Sequence, residues 1–193
     1  MYTPEKIAQA YLRLNGFFTI RHFSILRTKG SHMDLLAVRL GNSEERIGVG
    51  ENSISLKVDD EFFKLLSVTK SDTVGLVVEV KGGENERAEF SISKFDYIRP
   101  FFGDVRRIFK VAFERAVDGL CERGSGENIH YVVPLCRCLQ FIDGRLKEVK
   151  KIERNLRGKG ILSKEGSWHL SEEFLSELIY LKSLGYLGKG DRA

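Results

Sequence analysis

One stretch near the middle of the chain constrains the fold most: residues 73–83 read TVGLVVEVKGG. Most of its apolar residues are valine, and the pair Gly82-Gly83 ends the run, a pattern typical of a buried central strand. Glu79 and Lys81 are set into the end of this run. Because side chains alternate across a strand, these two share one face of the sheet, while Val78 and Val80 point to the other.

Two charged residues at the end of a core strand admit two interpretations. A carboxylate and an ammonium buried there cost free energy unless they are paired or used. The first interpretation is a partly exposed strand end at which Glu79 and Lys81 form an ion pair. The second is a functional site, and residues upstream of the strand favour it.

The length and composition indicate one large globular domain, or one domain with a small appendage. The chain has 193 residues, of which 42% are hydrophobic and 30% are charged; a chain of this kind buries a substantial core. No apolar run reaches membrane-spanning length, and the first residues lack the basic and apolar regions of a signal peptide. We therefore expect no membrane partner and a cytoplasmic location. Three cysteines, an odd number, argue against a disulfide framework.

Hydrophobic periodicity and turn residues predict an alternation of helices and strands. In the first half, the predicted elements are a helix from Thr3 to Gly16, strands at residues 17–26 and 34–40, an elaboration at residues 41–73 with a hairpin at 48–58 and a helical turn at 61–67, and the strand at 73–83. In the second half, they are helical segments at residues 91–120 interrupted near Pro100 and Gly103, a strand at 129–142, a helix from Asp143, a hairpin at 160–170 and a last helix at 171–185. This order predicts an α/β sheet flanked by helices.

Asp34 is the upstream residue that favours a functional site. It opens the second predicted strand, so if that strand neighbours the third, Asp34, Glu79 and Lys81 converge at one edge of the sheet. Two carboxylates form a hard-oxygen site suited to Mg²⁺ or Mn²⁺, ions that recruit phosphate oxygens. Such an ion polarises the phosphate and activates water, and Lys81 can hold that water or stabilise developing charge. The set is typical of phosphodiester hydrolysis.

These residues resemble the motif of the PD-(D/E)XK nuclease superfamily, which has an aspartate before one strand and an E-x-K triplet, here Glu79-Val80-Lys81, on the next. The predicted order of helix, three strands, helix and strand matches the core of that superfamily. The segment AYLRLNGFF at residues 10–18 is similar to the first helix and strand of archaeal Holliday-junction-resolvase-like members. The resemblance spans roughly residues 3–142.

The resemblance implies a restriction-endonuclease-like core at residues 1–142, a mixed central sheet flanked by helices, with residues 143–193 as extra C-terminal helices packed on it. It also implies that Asp34 and Glu79 bind the metal, that the Val80 carbonyl assists, and that Lys81 is catalytic. Glu5 stands where many members carry an additional acidic residue on the first helix.

The chain departs from the superfamily pattern in three places. Met33 replaces the proline that names the motif, and about forty residues separate the two motif strands. No glutamine follows at a persuasive position on the helix after Lys81, where Lys94 or Tyr97 would be the nearest substitute.

Basic side chains provide candidate contacts to a nucleic acid backbone. Arg106, Arg107 and Lys110 are expected on an exposed side of the helical segment 91–120. Lys150, Lys151 and Arg154 belong to a second basic cluster, on the helix that follows Asp143. A solvated surface helix would show the same pattern.

Cysteines and histidines are weaker candidates. Cys136 and Cys138 form a C-x-C on the strand predicted at 129–142, but an iron–sulfur cluster needs four cysteines, so buried small side chains are the favoured interpretation. His32 stands two residues before Asp34, where it either approaches the metal or has no function.

The sequence therefore predicts a Mg²⁺- or Mn²⁺-dependent DNA endonuclease acting in repair, recombination or defence. One alternative is a nucleic-acid-binding or assembly module that keeps the nuclease fold without cleaving. Another is an unrelated α/β protein in which Glu79 and Lys81 are an ion pair. A homodimer is possible, because two DNA strands require two active sites, and apolar residues of the last predicted helix would supply the interface.

Overall fold

The computed structural model describes residues 3–24, 32–43, 46–47 and 54–159, which form an α/β fold with helices on both faces of a mixed six-stranded sheet. The strands of this sheet are β1 (Phe18–Ser24), β2 (His32–Arg39), β5 (Val74–Lys81), β6 (Arg107–Glu114), β7 (Cys121–Arg123) and β8 (His130–Pro134). The short strands β3 (Arg46–Ile47) and β4 (Ile54–Ser55) pair with each other in a separate two-stranded sheet. The α-helices are α1 (Thr3–Leu14), α2 (Asp60–Leu65), α3 (Ile92–Ile98) and α4 (Leu135–Gly158).

The strand order across the sheet is β1-β2-β5-β6-β8-β7. The pairs β1–β2 and β2–β5 are antiparallel, whereas β5–β6 and β6–β8 are parallel. The short strand β7 pairs antiparallel with β8 at the far edge. Strand β5 is therefore central, as the apolar run at 73–83 predicts, and its neighbours run in opposite directions.

One face of the sheet packs against α1 and α4. Tyr11 of α1 lies at the centre of this core, with edge-to-face aromatic contacts to Phe62, Phe113 and Phe141 at centroid distances of 5.3–5.8 Å. Val78 of β5 is fully buried in the same cluster. The helix α1 ends as predicted, because Gly16 adopts a φ of +82°, which favours glycine.

The opposite face of the sheet is covered by α3 and the 3₁₀ turn that follows it, Arg99–Phe102. Val77 of β5 packs there with Ile98 and Phe102. Gly75 makes this close approach possible, because an ideal Cβ at that position would lie 2.6 Å from the Phe102 ring. The face that carries Val77 also carries Glu79 and Lys81, since the three alternate with Val78 and Val80.

The described part of the elaboration at 41–73 is anchored on the α1–α4 face. Asp59 caps α2 by accepting backbone hydrogen bonds from Glu61 and Phe62. Its carboxylate also accepts a hydrogen bond from Tyr11 Oη at 2.7 Å and two from Arg137. This described part thus packs on the face of the sheet opposite to the one that carries Glu79.

The helical segment predicted at 91–120 is wrong beyond Phe102. Helix α3 is short, and Arg107–Glu114 is the buried parallel strand β6. Apolar residues at 108, 111 and 112 fit helical spacing, but RIFKVAFE also alternates, with Val111 and Phe113 on the α1–α4 face. The segment forms a strand because it is buried between β5 and β8. A local pattern that fits both helical spacing and strand alternation does not contain that information.

The strand predicted at 129–142 is also only partly correct. Strand β8 ends at Pro134, and α4 begins at Leu135 and continues to Gly158. The helix predicted from Asp143 therefore starts eight residues earlier, and the predicted boundary between residues 142 and 143 falls inside it. Cys136 and Cys138 lie on this helix and not on a strand.

The predicted helix 3–16 and the strands at 17–26, 34–40 and 73–83 are confirmed as α1, β1, β2 and β5. The hairpin at 160–170, the helix at 171–185 and the dimer surface predicted on it lie outside the described residues. No helix among the described ranges has both the length and the apolar character needed to span a membrane.

Candidate metal centre

Asp34 and Val80 meet where β2 and β5 stop pairing as strands. The antiparallel ladder runs from Arg39↔Val74 to Leu35↔Val78. Asp34 is the residue just before Leu35 in β2, and its Oδ2 atom accepts a hydrogen bond from the Val80 backbone N–H at 2.7 Å. The carboxylate therefore takes the place of a backbone acceptor and is held against the end of β5.

Glu79 and Lys81 lie on the α3 side of the same strand end. The Lys81 ammonium is 3.4 Å from Glu79 Oε2, which is long for a charge-assisted hydrogen bond. Glu79 is buried, with 8% of its surface exposed, whereas about a third of the Lys81 side chain is exposed. The pair is loosely joined, and its cation remains accessible.

The surroundings of Glu79 disfavour its ionised form. Burial raises the pKa of Glu79 above its ordinary value, and the nearby Asp34 carboxylate raises it further. The positive charges of Lys81 and Lys94 oppose this pKa shift without cancelling it. A divalent cation between the two carboxylates would remove the remaining repulsion.

The donor set fits a hard divalent cation. Among the described residues, no three or more His, Cys, Asp or Glu side chains already surround a common point. Asp34 and Glu79 would thus supply two protein ligands, which is typical of Mg²⁺ sites that complete their coordination with water and substrate phosphate.

The Val80 carbonyl is also placed to assist. In a strand, the N–H and C=O of one residue point toward the same neighbour. The Val80 N–H bonds the Asp34 carboxylate, so its C=O is directed toward the same gap, beyond the last paired position, Val78. The predicted role of this carbonyl is compatible with its direction.

Helix α1 brings Glu5 near this end of the sheet, although no contact with Asp34 or Glu79 is observed. An ideal Cβ at Gly82 would lie 2.6 Å from Pro4, so the start of α1 packs against the exit of β5. The Glu5 Oε2 atom is 3.7 Å from His22 Nε2 and accepts no hydrogen bond from the described residues.

His22 is a residue that the sequence analysis missed. The β1–β2 register would place it opposite Asp34, yet that pair is absent from a ladder that includes both Arg21↔Leu35 and Phe23↔Met33. His22 has a φ of +50°, a left-handed conformation that is uncommon for a non-glycine residue. No sequence signal marks such a backbone conformation in a histidine.

Three further candidates from the sequence, Lys94, Tyr97 and His32, differ in their surroundings. Lys94 of α3 is close enough to lower the pKa of Glu79, so it is the better supported substitute for the missing glutamine. Tyr97 is 46% exposed on the same helix. His32 is exposed at the start of β2.

The basic residues predicted to bind nucleic acid are not gathered at this site. Arg107 lies at the opposite end of the sheet, where it bonds Asp72 at 3.1 Å and the Ser67 carbonyl at 2.6 Å. Lys110 is 5% exposed and donates to the Glu127 carbonyl at 2.6 Å. Arg106 is exposed just before β6, and Lys150, Lys151 and Arg154 are exposed on α4.

The cysteines form no cluster with one another or with other metal-binding residues in the described ranges. Cys136 is exposed and Cys138 is buried, and burial raises the pKa of the Cys138 thiol well above its ordinary value. The interpretation as buried small side chains is therefore confirmed for Cys138 and wrong for Cys136.

Comparisons with models of protein families, with curated proteins and with solved structures found no match to this chain.

Proposed function

We propose that this chain is a metal-dependent endonuclease that hydrolyses phosphodiester bonds of DNA. The observation that carries the proposal is the convergence of Asp34, Glu79 and Lys81 where β2 and β5 separate. Burial, and then the neighbouring Asp34 carboxylate, raise the pKa of Glu79. These two carboxylates and the accessible ammonium beside them form a site for a cation and a phosphate.

Each residue has a distinct task in this proposal. Asp34 and Glu79 hold Mg²⁺ or Mn²⁺, with the Val80 carbonyl as a further oxygen donor and Glu5 as an outer acidic residue. Such an ion polarises the phosphate that is cleaved and makes water more acidic. Lys81 orients the attacking water or stabilises the negative charge that develops on the phosphate oxygens.

The arrangement of elements supports the resemblance to the PD-(D/E)XK superfamily. Helix α1, the antiparallel strands β1, β2 and β5, helix α3 and the parallel strand β6 follow one another, with residues 41–73 as an insertion between the two motif strands. A restriction-endonuclease-like core is therefore part of the proposal. We further propose that the protein acts in the cytoplasm, as a homodimer, in repair, recombination or defence.

The test is cleavage of supercoiled plasmid and of a labelled four-way junction, with Mg²⁺, with Mn²⁺ and with a chelator. We compare wild type with Lys81→Met, and with Lys57→Met as a matched control, because Lys57 is exposed and lies outside the site. We expect metal-dependent nicking that is lost in Lys81→Met and kept in Lys57→Met. Preference for the junction would identify a resolvase-like substrate.

Other outcomes separate the alternatives. DNA that is bound but not cut with either metal would favour the non-cleaving binding module. Cleavage of RNA in preference to DNA of the same sequence would correct the substrate class. If neither DNA is bound or cut, and no divalent cation binds, the ion-pair interpretation of Glu79 and Lys81 replaces the proposal.

A further inference from the structure

Glu114, the last residue of β6, is a fully buried carboxylate of which only one oxygen accepts hydrogen bonds from the described residues. It is 0% exposed. Its Oε1 atom accepts hydrogen bonds from the Ala88 backbone N–H at 2.8 Å and from Arg123 Nη1 at 2.7 Å. Its Oε2 atom is buried and accepts no hydrogen bond from the part of the chain that the structure describes. Because a buried carboxylate oxygen without a donor costs free energy, a donor that arrives in another state of the protein would be favourable.

The strand register places Lys81, a flexible hydrogen-bond donor, beside Glu114. Strands β5 and β6 are parallel, and Lys81 is the Cα partner of Glu114. The preceding partners, Val80 and Phe113, both face the α1–α4 core, so Lys81 and Glu114 both face the α3 side. Adjacent strands lie about 4.8 Å apart, a separation that the flexible four-carbon stem of lysine spans.

In the structure, Lys81 pairs with Glu79, and metal binding in the proposed function would weaken this pair. Its ammonium lies 3.4 Å from Glu79 Oε2. When Glu79 holds a divalent cation, that cation repels the ammonium and takes up the negative charge that attracted it. Lys81 then needs another acceptor in order to remain beside the site.

We propose that Glu114 is the residue that positions Lys81 in the metal-loaded site: its Oε2 accepts a hydrogen bond from the Lys81 ammonium once Glu79 holds the metal. This inference rests on the proposed function and deepens it. Glu114 touches neither metal nor DNA in this arrangement. Arg123 and the Ala88 N–H hold its Oε1 atom in place, which fixes the direction of Oε2.

The first test is Glu114→Gln. Glutamine keeps an oxygen acceptor for Ala88 and Arg123 and places an NH₂ group, a donor, where Lys81 needs an acceptor. We expect the rate of metal-dependent nicking to fall about tenfold or more, because the catalytic ammonium is misplaced. The KM for DNA and the affinity for Mn²⁺, measured by calorimetry, should stay within about twofold of wild type, because Glu114 is not a ligand.

Glu84→Gln is the matched control. Glu84 is an exposed carboxylate in the loop after Lys81, and it pairs only with the exposed Arg115 among the described residues. We expect its nicking rate to equal that of wild type. An unchanged rate in Glu114→Gln overturns the inference, and so does a loss of Mn²⁺ affinity equal to the loss of rate, since that would make Glu114 a ligand or a purely structural residue.

A measurement on wild type decides the matter even if Glu114→Gln does not fold. Lysine acylation, followed by mass spectrometry, reports how accessible each ammonium is. With saturating Mg²⁺, we expect acylation of Lys81 to slow by about threefold or more relative to Lys57, because a hydrogen bond to a buried carboxylate must break first. Unchanged or faster acylation would overturn the inference.

The two proposals fail in different ways. Wild-type nicking with no effect of Glu114→Gln leaves the nuclease function intact and overturns the role of Glu114. Wild-type protein that binds no divalent cation overturns both proposals. Wild-type protein that binds Mg²⁺ without cutting DNA overturns the nuclease function, and the acylation result then decides alone whether Glu114 receives Lys81.

Discussion

Asp34 Oδ2 lies 2.7 Å from the backbone nitrogen of Val80, in the position where a strand partner would otherwise supply a carbonyl. This hydrogen bond holds the Asp34 side chain against the backbone of Val80, the residue between Glu79 and Lys81. Its geometry does not depend on the charge, because a carboxamide oxygen accepts the same N–H. Structure and charge at this position can therefore be separated by a single substitution.

Asp34→Asn should keep the fold and lose the metal. The asparagine oxygen can still accept the Val80 N–H, so we expect a thermal unfolding midpoint close to that of wild type. Removal of one of two carboxylates should lower Mn²⁺ affinity about tenfold or more by calorimetry. Asp104→Asn, at an exposed carboxylate outside the site, is the control and should bind as wild type does. Wild-type affinity in Asp34→Asn would show that the cation binds elsewhere.

Glu79→Gln should stabilise the metal-free protein relative to wild type as pH rises. Burial and then Asp34 raise the pKa of Glu79 in the folded state. A group whose pKa is higher in the folded than in the unfolded state stabilises the fold while it is protonated. The contribution of Glu79 is therefore complete below its unfolded-state pKa and is lost as pH rises through its folded-state pKa. Wild type therefore loses this contribution from Glu79 as pH rises, whereas glutamine stays neutral throughout.

The measurement is urea unfolding of both proteins between about pH 4 and pH 8 without metal. We expect the free energy of unfolding of the variant to increase relative to that of wild type as pH rises. Mg²⁺ should reduce this difference, because it stabilises wild type alone. The exposed Glu84→Gln serves as the reference for a surface carboxylate. A Glu79→Gln protein that is less stable than wild type at every pH would contradict the raised pKa of Glu79.

Local sequence patterns were sufficient for β5 and for three of the site residues. The valine-rich run that contains Glu79 and Lys81 forms a central strand, as its sequence predicts. Asp34 is followed by an apolar run whose strand, β2, does neighbour β5. Strand β6 was missed because its residues satisfy two periodicities, and only its burial between β5 and β8 decides between them.

The remaining features of the site depend on tertiary relationships. The left-handed backbone of His22, the reach of Lys94 from α3 and the position of Glu114 beside Lys81 come from strand register and packing. Once β6 is read as a helix, Glu114 cannot be placed beside β5. The same error led to the prediction that Arg107 and Lys110 lie on the exposed side of a helix, whereas both belong to strand β6.

Arg137→Met should destabilise the fold through Asp59. Burial alone would raise the pKa of Asp59, but hydrogen bonds from Arg137 and Tyr11 hold it below its ordinary value. The stability that this lowered pKa represents is present above the unfolded pKa and is lost as pH falls through the folded pKa. Without the guanidinium, a buried carboxylate is left unpaired, which we expect to cost about 3 kcal/mol at neutral pH.

The check is urea unfolding at pH 7 and at acidic pH, where protonation of Asp59 should reduce the difference between variant and wild type. Arg115→Met is the control, because Arg115 and its partner Glu84 are both exposed, and such pairs contribute less than about 1 kcal/mol. Equal losses in the two variants would mean that the Asp59 network does not anchor the elaboration to α1 and α4.

Gly75→Ala tests whether the turn after α3 rests on β5. An ideal Cβ at Gly75 would lie 2.6 Å from Phe102 Cδ1 and 3.3 Å from an Ile108 side-chain atom, so the methyl group must displace the aromatic ring. We expect a loss of about 1–3 kcal/mol in the free energy of unfolding in urea, as for other overpacked cores. At Gly119 no atom lies within 4 Å of an ideal Cβ, and alanine there should change stability by less than about 0.5 kcal/mol. Equal effects at the two glycines would mean that Phe102 does not cover β5, and α3 would then not hold Lys94 within reach of Glu79.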